Sequence, residues 1–177
     1  MTDDRPSINP ERLWQRLMQM AEIGATAAGG CNRQALSDED AAGRELFMSW
    51  ARDADCEVSL DAIGNIFIRR AGRSKTAPPV MTGSHLDTQP TGGKFDGIYG
   101  VLAGLEVIET LNDAKLATEH PIEVVVWTNE EGSRFDTAMM GSAVWSGAMD
   151  LEQAYALCDL EGASVHSELA RIGHLGP

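Results

Sequence analysis

The chain has 177 residues, enough for one domain with a real core, and its 43% hydrophobic and 23% charged content is ordinary for a globular protein. A net charge of −13 with no basic stripe would repel phosphate backbones, which argues against nucleic acid as a partner. No run approaches about 18 uninterrupted apolar residues, and MTDDRPSINPERLW carries acids where a signal peptide has bases and lacks an apolar h-region, so a cytoplasmic, non-membrane protein is expected.

Asn9-Pro10 reads as a helix N-cap followed by proline at the first helical position. Leu13, Leu17, Met18 and Met20 then give an apolar stripe with Trp14 beside it, fading near Gly24. Ala25–Leu36, with Gly29-Gly30, reads as a loop. Ser37 followed by Asp38, Glu39 and Asp40 marks a second helix start, since these acids suit the positive end of the helix dipole. Leu46, Phe47, Trp50 and Ala54 supply its buried face. Cys31, Cys56 and Cys158 are odd in number, widely spaced and without a CxxC, which points to reduced thiols rather than disulfides or a thiolate zinc site.

Glu57–Asp61 and Asn65–Arg70 alternate around Ile63-Gly64 and predict a β-hairpin. Arg69–Pro79 is an exposed turn. Val80–Ser84 is a short strand that delivers His85 and Asp87 at its end. A loop with Gly92-Gly93 leads to Asp96 and to a helix from Gly97 to about Leu111, whose Gly100, Ala103 and Gly104 permit close packing on a sheet. Pro121–Thr128 has the unalternating apolar run of an interior strand and ends on Asn129-Glu130-Glu131. Met139–Met149 is apolar and small, Asp150 starts a short helix over Leu151–Leu157, and Ser164–Ile172 forms another, closing at Gly173. There is no repeat, low-complexity tract or domain linker. Alternating helices and strands predict an α/β layer fold.

Sites in such folds gather beyond the carboxyl ends of the strands. His85 follows one strand and Glu130-Glu131 another, while Asp96 precedes a helix. Imidazole with carboxylates and no thiolate suits Zn²⁺, Mn²⁺ or related divalent ions. Asp87 is spaced to hold the second imidazole N–H and fix the tautomer. Adjacent Glu130 and Glu131 diverge, so one can bind metal while the other handles protons. Each residue also has a plainer reading: a structural histidine, a solvated acidic loop, a helix cap.

GSHLDTQPTGGKFDG and TNEEGSRF resemble the zinc-dependent amidohydrolases that include N-carbamoyl-L-amino acid hydrolase, β-ureidopropionase and allantoate amidohydrolase, relatives of the dinuclear aminopeptidases and carboxypeptidases. The resemblance extends through SDEDAAGRELFMSWARDADCEVSLDAIGN and GSAVWSGAM, and Gln89-Pro90 with Lys94 leans toward the carbamoyl-amino-acid branch. It implies an aminopeptidase-like three-layer α/β sandwich with a central mixed sheet. It also implies two divalent ions, Zn²⁺ or Mn²⁺ (Co²⁺ or Ni²⁺ as variants). His85 would be terminal ligand to one, Asp96 the bridge, Glu131 terminal ligand to the other, and Glu130 the general base. The implied reaction is hydrolysis of a linear carbamoyl or ureido C–N bond, with N-carbamoyl-L-amino acid going to amino acid, CO₂ and NH₃. The substrate-binding residues are not assigned.

Family members are more than twice as long. The resemblance therefore makes residues 1–177 the N-terminal part of a metal-dependent catalytic domain, incomplete at its C-terminal side. The resemblance implies that the lid through which the family forms homodimers and the C-terminal catalytic segment are not among these residues. The chain alone is expected to be inactive. His166 and His174 do not match the family's remaining ligand motifs, His120 lies at the wrong strand end, and Asp136 is an extra charge beside the site. The alternatives are a non-catalytic remnant or interaction module, an allantoate amidohydrolase, and a peptidase or acyl-amino-acid deacylase from a neighbouring branch.

Overall fold

The computed structural model describes residues 6–177; the acids at the extreme N-terminus, on which the reading against a leader rests, lie outside them. Helix α1 (Pro10–Glu22) is capped by Asn9, whose side chain accepts from the Arg12 amide, and α2 (Asp38–Asp53) by Ser37, which accepts from Asp40. The hairpin strands β1 (Glu57–Leu60) and β2 (Ile66–Arg70) follow, then β3 (Val80–His85), α3 (Ile98–Asp113) and β4 (Ile122–Trp127). Three short helices close the chain: α4 (Met140–Trp145), α5 (Leu151–Ala156) and α6 (Val165–Arg171).

The four strands form one mixed sheet in the order β1-β2-β4-β3. β1 and β4 run antiparallel to β2, whereas β3 runs parallel to β4 with His85 opposite Trp127. That parallel pair sets the site, because it brings the ends of β3 and β4 out on the same side. β4 lies inside the sheet with Val124, Val125 and Val126 buried, as its unbroken apolar run predicts. β3 is an edge, and Val80 and Met81 near its start are exposed.

One sheet face carries the main core. Ile66, Ile68, Val124 and Val126 pack against Leu17 and Met20 of α1, Phe47 and Ala51 of α2, and Val101, Leu105 and Ile108 of α3. α3 lies very close to the sheet: a Cβ on Gly104 would sit 2.9 Å from Val124. α1 is fastened to α3 by Arg12, which donates to both oxygens of the buried Glu106 carboxylate at 2.7 and 2.8 Å. The opposite face bears Phe67 and Trp127 edge to face, with Trp145 of α4 tilted against Trp127. A second, smaller core joins Ala35, Leu36, Ile63, Phe135, Met140, Ala154, Val165 and Leu169 under the short helices. No helix among the described residues is long and apolar enough to cross a membrane.

Candidate active site

β3 ends on His85, which is buried. Its ring lies flat against the start of α3: a Cβ on Gly97 would fall 2.4–2.5 Å from three ring atoms, and Gly97 has φ +70°. Only glycine fits there, and the contact brings the Asp96-Gly97 backbone against the imidazole. His85 Nδ1 lies 2.9 Å from the Asp87 carbonyl oxygen. A carbonyl can only accept, so Nδ1 carries the hydrogen and Nε2 keeps a free lone pair. Nε2 faces Glu130 Oε2 at 3.3 Å. Two lone pairs at that distance repel unless a proton or a cation lies between them.

Asp87 does hold the second imidazole N–H, but through its backbone carbonyl, which leaves its carboxylate for another task. Its carboxylate is 3.8 Å from His85 Nδ1, and the shorter contact to that nitrogen is made by its own carbonyl. The two carboxylate oxygens instead accept the backbone N–H groups of Glu130 (3.3 Å) and Glu131 (3.2 Å). Burial, reinforced by repulsion from the Asp40 carboxylate, pushes Asp87 up to about 6; His85 and the two amides pull the other way. Asp87 therefore ties the end of β3 to the turn after β4, orienting both the imidazole and the glutamate pair.

That turn is unusual in its backbone. Asn129 has φ 49°, a left-handed conformation in which asparagine is more at home than most residues. Its side-chain amide donates to the carbonyls of Phe135 and Thr137. Beyond it the two glutamates diverge as expected. Glu130 faces His85, while Glu131 Oε2 accepts from Gln89 Nε2 at 3.0 Å. Asp96 is exposed at the rim.

The structure thus brings His85, Asp87 and Glu130 together. Among the described residues, no three His, Cys, Asp or Glu side chains are grouped so as to hold a metal ion. In kind, the donors fit a divalent cation: a free imidazole nitrogen and carboxylate oxygens. In number they fall short, with fewer than the three protein ligands of a catalytic zinc site.

Other histidines lie elsewhere. His166 packs edge-on against Tyr155, His174 is buried 3.3 Å from Glu45, and His120 sits 2.8 Å from the Pro78 carbonyl. Asp136 is exposed. Arg134 is fully engaged with Asp159, Glu168 and the Ala35 carbonyl, a structural tie between the site loop and α6. Cys31 and Cys56 are buried and Cys158 exposed, and all three are free. Sequence reasoning passed over the polar residues buried behind the site: Arg33, Asp40, Arg44, Asn65 and Thr88. For Asp40 and Arg44 a signal existed, the four-residue spacing of opposite charges on one helix.

The fold and the site define an α/β protein with an imidazole and carboxylates at the carboxyl ends of two parallel strands. The model of the peptidase family M20/M25/M40 matches residues 81–170, and the chain belongs to that family. It is 54% identical to an N-carbamoyl-L-amino-acid amidohydrolase of Rhizobium meliloti, over 96% of this chain and 41% of the relative. With the N-carbamoyl-L-amino acid amidohydrolase of Geobacillus stearothermophilus it shares 43% identity, over 94% of this chain and 40% of that one. A crystal structure of a hydantoinase/carbamoylase family amidase from Burkholderia ambifaria superposes with a TM-score of 0.95 at 56% identity, covering 97% of this chain and 42% of that chain. The chain spans about two fifths of the length of these relatives.

Proposed function

We propose that this chain supplies part of the catalytic domain of a metal-dependent amidohydrolase that cleaves a carbamoyl C–N bond. The substrate class is N-carbamoyl-L-amino acids, released as amino acid, CO₂ and NH₃. The observation that carries the reading is the meeting of His85 Nε2 with Glu130 at one end of the sheet, organised by Asp87 from behind. The identity to carbamoyl-amino-acid amidohydrolases supports the substrate class.

In this reading His85, Asp96 and Glu131 would hold two divalent ions, Zn²⁺ or Mn²⁺, with His85 and Glu131 as terminal ligands and Asp96 as the shared one. When bound, the ions would acidify a water and polarise the scissile carbonyl. Glu130 takes the proton from the attacking water and returns it to the leaving nitrogen. Asp87 holds the Glu130 and Glu131 amides, so the pair cannot rotate away while the proton moves. His85 stays in one tautomer because the Asp87 carbonyl holds its Nδ1 hydrogen.

The described residues offer each ion at most two ligands, so turnover requires the region of the relatives that this chain does not span, and the chain alone is inactive. A homodimer would likewise depend on that region. Three unpaired cysteines agree with a cytoplasmic setting. The test combines the chain with Mn²⁺ or Zn²⁺ and a polypeptide covering the rest of the Rhizobium meliloti relative. Ammonia release from N-carbamoyl amino acids is expected, abolished by His85→Ala and reduced at least about 100-fold by Glu130→Gln. No release with any carbamoyl amino acid sinks the reading. Release from acetyl amino acids or dipeptides instead would move the activity to deacylation or peptide cleavage.

A further inference from the structure

Adjacent carboxylates are aimed by their backbone, and the backbone of Glu130 and Glu131 is held from two sides. In front stands Asp87. Behind, the two limbs of the loop that carries them meet: Gly141 N–H donates to the Thr128 carbonyl at 2.8 Å, and Met139 N–H to the Glu130 carbonyl at 2.7 Å. Into this junction, from the hairpin turn between β1 and β2, comes the fully buried side chain of Asn65.

Three of its four side-chain hydrogen-bonding positions are used. Oδ1 accepts the Thr128 N–H at 2.9 Å, and Nδ2 donates to the Gly141 carbonyl at 3.0 Å and to Asp61 Oδ2 at 2.8 Å. The approach is so close that a Cβ on Gly141 would lie 2.1 Å from Asn65 Oδ1. Arg44 secures the same point from α2, donating to the Thr128 hydroxyl at 3.2 Å and to the Gly64 carbonyl at 2.8 Å. A residue serving only the hairpin would spend its amide inside the hairpin. Asn65 spends one bond there, on Asp61, and two on the limbs of the glutamate loop 63 and 76 residues away in sequence.

We propose that Asn65 is a positioning residue for Glu130 and Glu131: its amide joins the Thr128 and Gly141 limbs and fixes where the turn between them directs the two carboxylates. The proposal rests on the reading of those carboxylates as the working groups of the site. It gives a purpose to the LDAIGN stretch, which no chemical step uses.

The test follows backbone amides and metal binding separately, in the isotope-labelled chain. In the unmodified chain the Thr128 amide is expected to exchange as slowly as the interior of β4. Exchange at the rate of an exposed loop would overturn the proposal without any variant. In Asn65→Ala, the Thr128, Glu130 and Glu131 amides are expected to shift and exchange at least 10-fold faster, while amides of α1 and α3 stay unchanged. Zn²⁺ or Mn²⁺ binding should weaken about 10-fold. Asn65→Asp keeps the acceptor for Thr128 and loses the donor, so it should restore the Thr128 shift and leave Gly141 perturbed. If Asn65→Ala fails to fold, the native exchange rate and the Asn65→Asp pattern decide. Unmoved Glu130 and Glu131 amides in a folded Asn65→Ala chain would overturn the proposal. Absence of metal binding by the parent chain would count against the metal reading alone, because the amide data do not depend on it.

Discussion

A backbone atom, the Asp87 carbonyl, chooses the tautomer of His85, and a missing side chain, at Gly97, makes room for its ring. Both facts are invisible in the residue types. Gly97→Ala would combine a Cβ inside the imidazole's contact distance with a strained positive φ. It should cost about 1–3 kcal/mol and displace His85; urea unfolding reads the first effect and the imidazole NMR signals the second. His174 is a residue-scale case of a different kind. Burial, with the nearby Arg44 cation, lowers its pKa below the ordinary 6.5, against the smaller opposing pull of Glu45 and Asp40. The folded state then favours neutral His174. Its contribution to stability is complete above pH 6.5 and is lost as pH falls through the lowered folded value. Asp87, pushed up to about 6, acts in the opposite sense between its ordinary 3.8 and that value, losing stability as pH rises. The two must be separated by substitution. His174→Gln should remove the acid-side loss, so the parent's urea midpoint should fall more than the variant's between pH 7.5 and pH 5.5.

At the scale of elements, local chemistry was readable. Asn9, Ser37, Asp150 and Ser164 each accept a backbone N–H at a helix start, and the alternation at 57–70 folds as a hairpin. The acids after Ser37 divide in a way their order does not disclose. Asp38 and Glu39 are exposed at the start of α2, whereas Asp40 is fully buried, accepting from the Leu36 amide and from Arg44 Nε at 2.8 Å. Arg44 is buried as well and reaches on to Gly64 and Thr128. Removing one partner of such a pair leaves the other charge uncompensated. Arg44→Met is expected to cost about 3–5 kcal/mol, and Asp40→Leu in the same chain to recover part of it. A double-mutant cycle in urea measures the coupling, and additive losses would show the pair to be independent.

At the scale of the whole molecule, the sheet order is what makes a site. β3 and β4 are separated by α3 in sequence, yet pair in parallel, so His85 and the Glu130 turn leave the sheet on one side. The chain's own amino acids announced the strand ends and named the chemistry they could carry, because hydrophobic period and turn residues are local signals. Tertiary structure alone decided the rest. It put His85 with Glu130 and left Glu131 with Gln89 and Asp96 at the rim; it turned the Asp87 carboxylate from the imidazole to the glutamate amides, and it placed Asn65 beneath them. Those choices depend on contacts between residues tens of positions apart, where distance is set by packing and burial and no local pattern records which polar group will meet which.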